Sequence, residues 1–548
     1  MSLQLANALF PNVVHTPEYY EEKYPKRNLL EGAAVTRFAP SPTGFLHLGS
    51  LYSAFIDKVI ADSTGGIYYL RIEDTDKKRE VEDGVSLILE GLFDFGVTPD
   101  EGVTGKTESK GNYAPYCQSE RGEIYRTYAK ELVEKGAAYP CFCTQEELDE
   151  LRVRQEKEGE NPGYYGKFAK CRNLSEKEQF LKIKEGRPFV LRIKSDGDPN
   201  KKIVVNDLIR GKLELPVNML DAVILKSDGI PPYAFAHAVD DHLMRTTHVV
   251  RGDEWIATLP LHIQLFVALG FKTPKYVHIS PIMKMDGDSK RKLSKRKDPE
   301  AAVDYYKSEG YPALSVREYL LTLANSNFED WRRQNPKAPQ NEFPFSVKKM
   351  SGSGALFDLM KLEDVSRNVI SVMTADEVYS GALFWAKEHD TELYELLLEK
   401  PDYAKDIFSI DRDCKNPRKD ISKWSDVKGY VQYFYEKLYK PLHNLPDNIS
   451  KEDTKGILKA YLSVYEEDDD KGQWFSKIKE LCEPFGFTPN VKDYKKTPDA
   501  YKGHVGDISK LIRLAVTSKE NTPDLCLIMK LLGKSTIEKR INDFMEAI

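Results

Sequence analysis

The stretch from residue 34 to residue 74 constrains the fold of this chain more than any other. "AVTRFA" (34–39) reads as a short strand, and "PSPTG" (40–44) is a turn cluster of proline, serine and glycine. "FLHLGSLYSAFIDKVIADSTGG" (45–66) places Leu48, Leu51, Phe55 and Val59 at helical spacing and closes on two glycines. "IYYLRIED" (67–74) is a second strand. Strand, turn, helix and strand within about 40 residues make a βαβ unit, because parallel strands need a crossover.

Further buried-strand signals come later, in "DAVILKSDG" (221–229), "THVVRGDEW" (247–255) and "YVHISPIM" (276–283). Between them and the first unit lie charged helical stretches such as "RGEIYRTYAKELVEKG" (121–136) and short β-rich pieces such as "KIVVNDLIRGKLELP" (202–216). The expected fold is therefore α/β: a Rossmann-type parallel-sheet catalytic domain split by an α+β insertion. From about residue 300 the strand signals fade. "YVQYFYEKLY" (430–439) and "LCLIMKLLG" (525–533) are helical, so the C-terminal domains read as all-α. The expected divisions are an extension (1–34), the first half of the sheet domain (35–115), the insertion (116–220), the second half (221–290), a lysine-loop and connecting region (291–370) and a helical region (371–548).

Composition narrows the class. A length of 548 residues allows several domains, and 41% hydrophobic with 30% charged residues is ordinary for a globular protein. A net charge of −6 argues against a chain coated in basic surface, although a local basic face can sit on an acidic body. Seven cysteines, odd in number and irregularly spaced, point to a reducing compartment and not to a disulfide scaffold. No apolar run of about 18 residues is present, so no membrane span is expected. Glu18, Glu21 and Glu22 against the single Arg27 do not make a transit peptide. The expected location is cytoplasmic and the expected state a monomer.

Two stretches compete for the handling of phosphate. "KLSKRK" (292–297) follows the last sheet strand and carries Lys292, Ser294, Lys295 and Arg296. Cations on a loop can meet the charge that builds on phosphate oxygens in a transition state. "KKMSGSGALFD" (348–358) has Gly352 where a second lysine would be needed, and it lies among helical patterns. It reads as a decoy, with "ALFD" starting a packing helix. The turn 40–50 opens a helix, where backbone N–H groups favour anions, and His47 could donate to a phosphate oxygen.

"HLGS" (47–50) resembles the HIGH motif of class I aminoacyl-tRNA synthetases, and "TRFAPSPTGFLHLG" (36–49) resembles the bacterial-type glutamyl-tRNA synthetase family. "RIEDTD" (71–76), "VDDHLM" (239–244), "VVRGDEW" (249–255) and "KLSKRK" follow in that family's order. The resemblance implies ATP-dependent activation of L-glutamate, with Mg²⁺ on the ATP phosphates, and transfer to tRNA-Glu. It implies catalytic roles for His47, Gly49, Lys292, Ser294 and Lys295. It places Arg37, Ser41, Glu73, Tyr233, Arg251 and Trp255 at glutamate contacts, together with His237, which departs from the family pattern because some members carry asparagine there. Pro40, Thr43, Gly44, Glu254, Leu293 and Arg296 join His47, Gly49, Lys292, Ser294 and Lys295 on the ATP side. Charge logic agrees, because two arginines suit carboxylates and Glu73 suits an ammonium. The rival readings are a glutaminyl or non-discriminating synthetase, a small-molecule nucleotidyltransferase and a non-catalytic relative. Cys141, Cys143 and Cys171 resemble a zinc knuckle of some family members, but no clear fourth ligand follows, and no structural zinc is expected.

Overall fold

Val35–Phe38 (β1) is buried along its whole length, as a central strand of a sheet covered on both faces must be. In this computed structural model β1 pairs in parallel with Ile67–Leu70 (β2), and the helix Leu48–Ser63 (α1) makes the crossover. Residues 3–76, 80–195, 197–198, 200–294, 296–443, 445–446 and 448–548 are described. Glu101–Val103 (β3) pairs with β2, again in parallel. On the other side of β1, the Thr247 N–H donates to the Val35 carbonyl at 2.9 Å. This contact brings in His248–Gly252 (β4), which follows the helix Tyr233–Leu243 (α2). Lys275–Ile279 (β5) pairs with β4 in parallel after the helix Leu259–Leu269 (α3). The resulting order is β3-β2-β1-β4-β5. Between β1 and β4 the connections leave in opposite directions, and a crevice opens there at the strands' carboxyl ends.

The strand expected from "DAVILKSDG" forms, but in another sheet. Val223–Leu225 pairs antiparallel with Val190–Ile193, which pairs antiparallel with Ala138–Cys141. It therefore completes the inserted sheet and not the parallel one. The hairpin of Lys202–Asp207 and Gly211–Pro216 lies apart from that sheet, and the Leu208 N–H donates to Tyr276 in β5 at 2.9 Å.

Residues ahead of β1 form two short helices, Leu3–Leu9 and Pro17–Lys23. Leu5 and Ala6 are fully buried, and Arg27 donates to the Met244 carbonyl and to Glu101. After β5 the chain makes a hairpin, Met283–Asp286 with Ser289–Lys292. "ALFD" does not start a helix. Met283 donates to the Ala355 carbonyl at 2.8 Å and accepts from the Phe357 N–H at 2.7 Å, and the helix begins at Leu359. Gly354, at φ +86°, keeps the preceding chain out of helical geometry.

The chain divides into two compact units, 1–305 with 317–358, and 306–316 with 359–548. The second is helical and has two apolar cores. One gathers Val378, Leu397, Phe408 and Val431, and the other Ile457, Leu511, Ile537 and Phe544. Within it, Gly310 accepts from the Trp424 N–H at 2.8 Å and Ser315 from the Ser366 hydroxyl at 2.9 Å. Among the described residues, no helix is long and apolar enough to cross a membrane.

Candidate active site

A cleft of about 460 Å³ opens at the carboxyl ends of β1, β4 and β5. His47 caps α1 and forms part of its wall: Nδ1 accepts from the Ser50 N–H, and Nε2 lies 2.9 Å from the Ser50 hydroxyl. A Cβ on Gly49 would sit 3.2 Å from the His47 ring, so glycine there leaves room for the imidazole. Pro40, Ser41, Thr43, Gly44 and Gly49 line the same wall. The amino end of a helix, open to the cleft, is a seat for an anion.

Across the cleft the side chains are charged and buried. Arg37, on β1, donates through Nε to Asp241 at 3.2 Å and through Nη1 to the Val250 carbonyl. Arg71 donates to Asp241 at 2.6 Å and to Glu73 at 3.2 Å. Arg121 and Tyr125 hold the neighbouring Asp240 at 2.6 and 2.8 Å. Three guanidiniums thus meet three carboxylates, a balance that low-dielectric surroundings require. Burial opposes the Asp241 charge, but Arg37 and Arg71 outweigh it and hold the carboxyl well below its usual range. Glu73, at the cleft wall, is pushed up to about 7 by burial, against the pull of Arg71 and Arg37.

Arg251 closes β4. Its Nε donates to His278 Nε2, and its Nη1 lies 3.0 Å from His262 Nδ1. Its guanidinium also lies over the Tyr276 ring, and Trp255 packs on Tyr233 at 4.3 Å. Arg251, Tyr233, Glu254 and Trp255 all line the cleft. His237 does not. It is wholly buried behind Tyr233, which it stacks on, and burial pushes its imidazole down to about 4. Its Nδ1 lies 2.7 Å from Asp241 but out of line for a hydrogen bond. His237, expected among the glutamate contacts despite its departure from the family pattern, sits in the packing beneath the pocket.

From the lysine stretch, Lys292 and Leu293 reach the cleft, whereas Ser294 and Arg296 do not line it. Lys295 lies outside the described residues. The turn is closed by Asp298, which takes two hydrogen bonds from Arg291 and one from the Ser294 N–H at 2.9 Å. Arg291 holds that carboxyl below its usual range.

Comparison with known proteins bears on these features together. The family described as tRNA synthetases class I (E and Q), catalytic domain, matches residues 33–362, and an anticodon binding domain matches 492–545. A glutamate–tRNA ligase of Clostridium perfringens (strain SM101 / Type A) is 50% identical over 545 residues, covering 99% of each chain. That of Sorangium cellulosum is 44% identical, covering 96% of this chain and 98% of its own. The chain belongs to the glutamate–tRNA ligase family. A solved glutamate tRNA ligase from Elizabethkingia meningosepticum, in complex with its amino acid, superimposes with a TM-score of 0.71 at 27% identity. That match covers 94% of this chain and 99% of the other.

Two further features of this glutamate–tRNA ligase family member lie outside the residues expected at the site. The first is the set of buried partners, Arg71, Arg121, Asp240 and Asp241. Three of them sit inside quoted motifs, and their doubled acids and adjacent arginine were the available signal. The second is in the insertion. Cys141, Cys143 and Cys171 bring their sulfurs within 4.8 Å of one another, and the Tyr164 hydroxyl lies 3.3 Å from Cys143. A metal there would be held by three sulfurs, with the phenol as the nearest fourth donor. It would serve the fold of the insertion, and no catalytic step passes through it.

Proposed function

We propose that this chain activates L-glutamate with ATP and transfers it to the terminal adenosine of tRNA-Glu. The observation that carries the reading is the cleft itself. Two buried arginines and one acid with a tunable proton face a helix amino end and Lys292 across a single cavity. Glutamate offers two carboxylates and an ammonium. Arg37 would take the side-chain carboxylate, and Arg251 would hold a second polar end of the substrate. Glu73, when ionised, would hold the ammonium.

In the first step an α-carboxylate oxygen attacks the α-phosphorus of ATP. The new C–O–P link forms as the bond to the β-phosphate oxygen breaks, and pyrophosphate leaves with the electron pair. His47, the α1 amino end and the lysines of 292–297 would stabilise charge on the phosphate oxygens, which is catalysis by positioning and electrostatics. Mg²⁺ travels with the triphosphate and neutralises part of its charge. In the second step a hydroxyl of the terminal adenosine attacks the activated carbonyl, and AMP leaves. The insertion would hold the acceptor end, and the helical unit would read unstacked anticodon bases. Free thiols at all seven cysteines accord with a cytoplasmic enzyme.

The test is charging of purified tRNA-Glu and tRNA-Gln with each amino acid. Glutamylation of tRNA-Glu is expected, without glutaminylation. Glutamine charged in place of glutamate would sink the reading, and glutamylation of both tRNAs would make the enzyme non-discriminating.

A further inference from the structure

We infer that Asp207 and His278 are positioning residues that aim Arg251 at the amino-acid substrate. The inference rests on the reading of Arg251 as a substrate anchor and goes beyond it, to what makes the anchor available.

Arg37 and Arg251 are both buried in the cleft wall, yet their partners differ in kind. Arg37 is paired with the carboxylate of Asp241. Arg251 is held by two imidazoles, and among the described residues none of its hydrogen bonds goes to a carboxylate. Its third nitrogen, Nη2, is buried and has no hydrogen-bond partner among the described residues. Its positive charge is therefore not neutralised by a contacting acid, and one donor is left over. A buried donor without a partner is costly, and an anionic ligand in the cleft relieves the cost.

An imidazole can hold an arginine in this way only with a bare nitrogen. To accept from Arg251, His278 must carry its proton on Nδ1. Asp207 accepts there at 2.8 Å, and also takes the His278 backbone N–H at 3.1 Å. The other oxygen of Asp207 is tied to the N–H groups of Ile209 and Arg210, at 2.9 and 2.8 Å. Both oxygens are thus occupied and the carboxylate cannot turn. Arg210 ties the same turn to Asp253 beyond β4 and to Ser280 beyond β5. The tip of the inserted hairpin is in this way a fixed bracket behind the anchor. Burial keeps the His278 imidazole below its usual range, so it stays neutral and able to accept.

The test is steady-state aminoacylation with glutamate and ATP varied separately. Asp207→Asn presents an amide N–H to Nδ1, which moves the ring proton to Nε2 and sets it against the Arg251 N–H. His278→Leu removes the acceptor outright. Each should raise the KM for glutamate by about 10-fold or more, the size of a lost hydrogen bond to a charged group, and leave the KM for ATP unchanged. His278→Gln places an amide oxygen near the former Nε2 and should bring the glutamate KM back towards the parent value. If His278→Leu fails to fold, Asp207→Asn and His278→Gln, which keep size and polarity, make the comparison alone. The inference falls if both KM values rise together, if the glutamate KM does not move, or if glutamine at 278 is as damaging as leucine. A parent enzyme that charges no glutamate would overturn the proposed function instead.

Discussion

Lys295 and Gly352 show how single residues separate two similar spellings. Lys295→Ala is expected to lower activation by at least about 10²-fold, the loss seen when one transition-state donor is removed. Gly352→Lys should leave the rate nearly unchanged, because a Cβ there meets Arg210 at 3.6 Å, an ordinary contact. Activation kinetics of both variants check the assignment. Glu73 gives a pH signature. Its carboxyl is pushed up to about 7, so it is ionised above that value and increasingly protonated below it. The KM for glutamate should therefore rise as pH falls from about 8 to about 6, and Glu73→Gln should flatten the slope. Arg37, Glu73, Arg251 and Trp255 were legible because their motif letters are themselves the groups that line the cleft, whereas Tyr233 lies between the quoted motifs and was placed by the resemblance alone. Asp207 and His278 were not. Each stands within a quoted strand pattern, but only tertiary pairing reveals that one orients the other.

At the scale of elements, α2 is joined to β1 through Asp241 and Arg37, and to the end of β2 through Asp241 and Arg71. Asp241→Asn leaves two buried guanidiniums short of one negative charge. A loss of about 3–5 kcal/mol is expected in urea unfolding, the usual cost of breaking a buried pair from one side. Arg37 and Arg71 hold the Asp241 carboxyl well below the usual carboxylate range, so its contribution is present above that range and is lost as pH falls through the folded value. The βαβ unit was readable because turn, cap and apolar spacing agree within one short stretch. Val223–Leu225 was recognised as a strand but assigned to the wrong sheet. Its apolar run says that it is buried, and such runs do not say which strand it pairs with or in which direction. "ALFD" failed for a related reason. Its residues tolerate a helix, but Met283 offers a donor and an acceptor that hold them extended.

At the scale of the molecule, the change from mixed to helical character near residue 300 was visible in periodicity, but the path of the chain was not. Residues 306–316 enter the helical unit, 317–358 return to the first, and the chain crosses again at 359. No composition shift marks the excursion, since both sides of it are helical. Three crossings mean that a single break does not separate the units. Co-expressed fragments 1–310 and 311–548 each carry part of both. The shorter keeps Ser308, Glu309 and Gly310, which bond to Trp385, Ser425 and Trp424 in the longer. The two are expected to co-purify through a tag on either one and to come apart only in denaturant. Recovery of one fragment alone would show that the interleaving does not hold them. In the intact chain, the same weave makes the catalytic and helical parts inheritable only together: a gene cut at any one of these crossings yields no piece that is one complete unit and nothing else.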